Sequence, residues 1–199
     1  MAAMLSNLRN TLIVSFLLAI VIIAGYRMHY GSFDAIFWQA VFRFLHVLAG
    51  IMWIGLLYYF NFVQIRKMPE IPAELKPAVS KYIAPEALFW FRWAALATWV
   101  MGMILAWDRG YLMQAITLGN FFHVPQTAFI GLGMWLATIM FINVWAFIWP
   151  AQKIALGIVE GDADAKAAAG RKAMIFSRIN TFLSVPMLVT MTMNQTIFG

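Results

Sequence analysis

The sequence contains no cysteine, and only 8 of its 199 residues are acidic. Without thiols the chain holds no disulfide scaffold and no thiolate zinc, iron–sulfur or blue-copper centre. The same absence rules out a covalent c-type haem, whose attachment needs Cys-x-x-Cys-His. Charged residues of both signs make up 11% of the chain, against about 25% in an ordinary soluble domain. Hydrophobic residues make up 63%, and mean hydropathy is +0.79. These values speak against a water-soluble globule and against a disordered chain. There is no phosphate-binding glycine loop and no Ser–His–Asp pattern. What is there is apolar sequence in long runs, which predicts an all-α, polytopic transmembrane bundle forming a single domain over 1–199.

A spanning helix needs about 20 mainly apolar residues. Five stretches are read as spans, at about 11–26, 44–63, 87–107, 127–149 and 180–198. Acidic residues are missing from their interiors, which disfavours a carboxylate-driven transporter. The fifth is diluted by Ser184, Thr190, Thr192, Asn194 and Thr196 and is expected to face other helices. Pro186 inside it predicts a kink. Arg9 followed by an apolar run has the shape of a signal peptide, but the first span is expected to be a retained helix.

The net charge of +6 resolves by position. Arg66, Lys67, Lys76 and Lys81 lie between spans two and three. Lys153, Lys166, Arg171, Lys172 and Arg178 lie between spans four and five. The other side carries Arg27, Arg43 and Arg109. The positive-inside rule places the two rich segments in the cytoplasm, the N-terminus inside and the C-terminus outside. The basic charge is then a matter of topology, and no nucleic-acid partner is expected. Tyr26, Tyr30, Trp38, Trp90, Trp107 and Trp149 fit an interfacial belt. Residues 151–178 are Ala-rich, carry Asp162 and Lys166 at helical i,i+4 spacing, and are expected to form a cytoplasmic helix before span five. The stretch 108–126 is apolar enough to lie flat in the interface or to be re-entrant.

Of three histidines, His46 alone lies well inside a span. Arg43, His46, Gly50, Trp53, Leu57, Asn61 and Gln64 follow a three/four spacing and form one stripe along that helix. His46 and Asn61 are separated by about 22 Å at 1.5 Å per residue, so the stripe joins an outer site to an inner one. At the outer site His46 is a candidate axial ligand of haem b or a metal ligand, with His123 or His29 as the second ligand and Arg43 and Trp53 beside the cofactor. Its other reading is a packing histidine bonded to a neighbouring helix. Copper(I) on Met191 and Met193 with imidazole is the runner-up metal site; methionine as gap filler is the alternative. At the inner site Asn61, Gln64, Arg92, Asn143, Arg178, Asn180 and Ser184 form a polar cluster, read chiefly as interhelical glue and otherwise as a quinone or proton site. Ala49, Gly50, Gly131 and Gly133 allow close helix approach. No catalytic residue stands out.

The second span, Arg43-Phe-Leu-His46-Val-Leu-Ala-Gly50-Ile-Met-Trp53-Ile-Gly55-Leu-Leu-Tyr-Tyr-Phe-Asn61-Phe, resembles the membrane domain of the PuuD-type urate hydroxylases, the urate oxidase N-terminal family. The segments Lys81-Tyr-Ile-Ala-Pro85-Glu-Ala-Leu-Phe-Trp90-Phe-Arg92-Trp, Asn143-Val-Trp-Ala-Phe-Ile-Trp-Pro150-Ala-Gln152-Lys and Ser177-Arg178-Ile-Asn180-Thr-Phe-Leu-Ser184-Val-Pro186-Met agree with it in order. The resemblance implies a bacterial inner-membrane protein linked to urate oxidation that passes electrons to a C-terminal cytochrome c domain. This chain is expected to be a short form without that domain. The resemblance also implies a histidine near the end of the last span, where this sequence reads Met193-Asn194-Gln195.

The expected function is therefore a redox-linked membrane component, binding haem b or a metal through His46 and working with a separate periplasmic cytochrome c or with quinone. The alternative is a non-catalytic accessory subunit of a larger membrane oxidase or oxygenase complex. Urate hydroxylation by this chain alone ranks third, and the substrate is not readable from the residues.

Overall fold

The computed structural model describes residues 5–198. Helix dominates, and there is no strand among the described residues. In chain order the elements are α1 (Leu8–Tyr30), α2 (Ala35–Glu70), α3 (Lys76–Asp108), two short turns α4 (Leu112–Ile116) and α5 (Leu118–Phe122), then α6 (Pro125–Ala155) and α7 (Ala163–Phe198). Five of them, α1, α2, α3, α6 and α7, are long and apolar enough to cross a membrane, the number read from the apolar runs. Their apolar surfaces suit contact with a lipid bilayer, where helices satisfy every backbone polar group internally.

By backbone contacts the chain divides into two units, Met1–Val41 and Phe42–Gly199. In the first unit Asn7 caps α1, its Oδ1 accepting from the Asn10 N–H at 3.4 Å. Asp34 starts α2, its Oδ1 accepting from the Phe37 N–H at 2.9 Å. That bond, with the Ser32 hydroxyl at 2.8 Å, holds the Asp34 carboxyl below its ordinary range. The Arg27 guanidinium bonds the Gly31 carbonyl and lies 4.5 Å from the Phe33 ring centre.

The second unit buries Trp53, Leu57 and Phe60 of α2, Leu88, Phe91 and Ala95 of α3, Met140, Val144 and Ile148 of α6, and Met187 of α7 in one core. Three of its helices are not α throughout. They widen to π geometry at Tyr59–Gln64, Val79–Ile83 and Asn143–Ile148. Two of these segments stand just ahead of a proline, Pro85 and Pro150. A proline offers no N–H to the carbonyl four residues back and its ring collides with it; a widened turn relieves both. The extra residue in each π turn rotates the side chains that follow, which is why a strict three/four reading loses phase there.

Residues 151–178 do not form a separate helix before the fifth span. One 36-residue helix, α7, includes Pro186 and is about 54 Å long at 1.5 Å per residue. That exceeds the roughly 30 Å hydrocarbon layer, so its first turns extend beyond the span. Asp162 caps the start of this helix. Its carboxylate accepts from the Ala165 N–H at 2.7 Å and its carbonyl from the Lys166 N–H at 3.0 Å.

The 108–126 stretch packs one side against α6. Ala115 is fully buried, and the Trp135 indole N–H donates to the Ile116 carbonyl at 3.0 Å. Gly131 permits this approach: a Cβ there would meet the Ala115 carbonyl carbon at 2.9 Å. Leu118 to Phe122 all have positive φ, a left-handed turn that turns Phe121 and Phe122 outward, 79% and 71% exposed. Such a turn costs non-glycine residues about 1–2 kcal/mol each. The Asn120 carboxamide, 2.7 Å from the Thr117 hydroxyl, ties it to α4.

Candidate functional site

The outer half of the α2 stripe faces α3. His46 Nδ1 lies 2.8 Å from the Thr98 carbonyl oxygen. A carbonyl only accepts, so Nδ1 carries the proton, and in the neutral ring Nε2 keeps its lone pair. The contact is possible because of what lies one turn along α3. In an α-helix the Thr98 carbonyl faces residue 102, and residue 102 is glycine. A Cβ there would stand 2.9 Å from His46 Cε1 and 3.0 Å from Nδ1. The Thr98 hydroxyl is directed elsewhere, donating to the Ala94 carbonyl at 2.7 Å. A histidine held through one nitrogen by a backbone carbonyl, with the other nitrogen available, is the arrangement that fixes and strengthens an imidazole ligand.

Three residues above His46, on the same face of α2, stands Arg43. It lies within electrostatic range of Arg109 and Tyr111, which follow the end of α3. The Arg109 guanidinium is 5.9 Å from the Tyr111 ring centre. Burial pushes the Tyr111 phenol above its ordinary range, and the two guanidiniums oppose that rise. Among the described residues neither Arg43 nor Arg109 forms a salt bridge with an acidic side chain.

The inner half of the stripe changes partner and faces α7. Tyr58 OH lies 3.0 Å from Ser184 Oγ, and the Asn61 amide donates to Ser177 Oγ at 2.8 Å. On the same face of α7, one turn from Ser184, Asn180 is fully buried; it accepts from the Asn143 amide at 2.8 Å and donates to the Met140 carbonyl at 2.9 Å. These bonds tie α2 and α6 to α7. Asn61 Oδ1 and Gln64 Oε1 are buried without a hydrogen-bond partner. Arg92 stands apart from this cluster, with its guanidinium 3.8 Å from the Trp149 ring centre, and Arg178 is exposed.

Trp53 is buried at 1% exposure with its indole N–H unpartnered. His123 is exposed at the end of the left-handed turn, and no hydrogen bond brings it to His46. His29 belongs to the first unit. Met191 packs against the core and Met193 is 46% exposed. No cluster of three or more His, Asp or Glu side chains suited to a metal ion occurs among the described residues. A haem iron needs only one or two protein ligands, so a cluster of three is not required for one. Thr98, Gly102, Tyr58, Ser177 and Tyr111 do not stand out in the sequence. A backbone carbonyl 52 residues from its histidine leaves no sequence signal, whereas Gly102 does break an otherwise bulky apolar run.

Comparison with curated proteins and with solved structures found no match. A family model does match. Of the four segments that carried the resemblance, the two on α6 and α7 lie inside the matched stretch and the two on α2 and α3 lie before it. Residues 109–198 match the family described as Urate oxidase N-terminal, and the resemblance read from the sequence holds over that part of the chain.

Proposed function

We propose that this protein is a redox component of the bacterial inner membrane in which His46 would hold haem b. The observation that carries the reading is the fixed imidazole: Nδ1 held by the Thr98 carbonyl and Gly102 leaving room for the ring, so that in the neutral ring Nε2 keeps its lone pair. Haem b would supply a one-electron couple. The chain's own contribution is to hold the ring's tautomer and direction and to surround it with apolar helix. Electrons would pass to a separate periplasmic cytochrome c or to quinone, as the family resemblance suggests.

The basic segments at 66–81 and 153–178 support an orientation with the His46 end of α2 outside, the side a periplasmic cytochrome would meet. A periplasmic reporter fused after Gly199 should be active; a fusion active only when placed in the cytoplasm would reverse the orientation.

The test of the ligand is spectroscopic. Gently purified protein should show a reduced-minus-oxidised b-type band, and His46→Ala should lose it while retaining the wild-type oligomer and helix content. An unchanged band in the variant would remove His46 as a ligand. A preparation free of haem that still holds partner subunits would favour an accessory role in a larger membrane oxidase or oxygenase complex.

A further inference from the structure

Arg43, Arg109 and Tyr111 come together where the outer end of α2 meets the end of α3. Among the described residues no salt bridge to an acidic side chain holds either guanidinium, and Tyr111, half-buried between α3 and α4, has no hydrogen-bond partner for its hydroxyl. Arg43 is half-buried and Arg109 exposed, and two like charges beside a half-buried phenol make a place where a negative group is favoured. Asp108, next in the chain to Arg109, is exposed and has a contact of its own. Arg43 sits one helical turn from His46 on the same face, an axial offset of about 4.5 Å. Its side chain leaves the helix toward the N-terminal end of α2, which directs it away from His46 and toward Arg109.

We propose that Arg43, Arg109 and Tyr111 form a carboxylate-binding site adjoining His46. Guanidinium groups bind carboxylates through paired, charge-assisted hydrogen bonds, and a phenol adds a further donor. One ligand chemistry has two possible sources. The carboxylates are the propionates of a haem ligated by His46, an assignment that rests on the functional reading above, or they belong to a free organic anion reaching the same end of the bundle.

The experiment uses the full chain in detergent. Haemin, iron protoporphyrin dimethyl ester and benzoate are titrated into wild type, Arg43→Gln, Arg109→Gln and Arg43→Lys. The readouts are the Soret band for the porphyrins and the thermal unfolding midpoint for benzoate. With haem as the source, wild type should bind the diacid about tenfold more tightly than the diester, the worth of roughly one charge-assisted contact. Both glutamine variants should lose that preference, and Arg43→Lys should keep part of it. With a free anion as the source, wild type binds neither porphyrin. Benzoate should then raise the midpoint of wild type and Arg43→Lys but not of the glutamine variants; in that case the haem reading falls and the anion site stands. Haem binding that is indifferent to ester or acid, and unchanged in both glutamine variants, overturns the site while leaving His46 as ligand. Equal benzoate responses in wild type and both glutamine variants, or none in any, with no preference for the diacid, overturn it as well.

Discussion

Gly131→Val should detach α4 from α6 and lower the thermal stability of the protein more than a change of any exposed residue. A Cβ at 131 would meet the Ala115 carbonyl carbon at 2.9 Å and its Cα at 3.1 Å. Both belong to backbone, so the neighbour cannot yield by changing rotamer. Overpacking of this kind costs about 1–3 kcal/mol, and separation would add loss of the bond from the Trp135 indole to the Ile116 carbonyl. Hydrogen exchange at residues 111–118 reads the effect locally. Those amides should exchange much faster in the variant, with α7 little changed. Wild-type protection in Gly131→Val would show that α4 does not rest on this contact.

The second large effect concerns Gly102. Gly102→Val should abolish haem binding although His46 itself is intact, because the added carbons occupy the space of the imidazole edge. Displacing the ring breaks its 2.8 Å bond to the Thr98 carbonyl and with it the preference for one tautomer. Gly102→Ala should give an intermediate result, a shifted band and weaker retention, since one carbon at 2.9 Å from the ring can be met by a small movement. The contrast with His46→Ala is informative. His46→Ala removes the ligand and leaves a cavity that added imidazole could fill, restoring the band; Gly102→Val fills the space, and added imidazole should restore nothing. Full haem retention in Gly102→Val would mean that the ring does not need its present position.

Much of this site is legible in the residues alone. A histidine, an arginine and two amides at three/four spacing within an apolar run leave little choice but a shared interior face, and the fold puts that stripe against α3 at its outer end and α7 at its inner end. Asn143, Asn180 and Ser184 are legible for the same reason: polar side chains inside spans seek one another. What holds His46 is not legible, because Thr98 acts through its carbonyl, which every residue possesses. The π segments at Tyr59–Gln64, Val79–Ile83 and Asn143–Ile148 escape too. Pro85 and Pro150 hint at a local break in hydrogen bonding, but not at whether the helix bends, ends or widens. Asp162 and Lys166 mark a helix by their spacing, but that spacing does not reveal that the carboxylate caps the helix start by accepting from the Ala165 N–H. In the 108–126 stretch, apolar composition announces burial or interface, and Gly131 settles which residues approach α6.

That His46 holds a haem is tested by the haem content of the protein purified from its own membrane, measured as the pyridine haemochrome together with total iron and copper per chain. One haem b and one iron per chain, with no stoichiometric copper and with the haem lost in His46→Ala, is the result expected here. Iron-free protein that is folded and stable, or haem retained at full stoichiometry in His46→Ala, would contradict it.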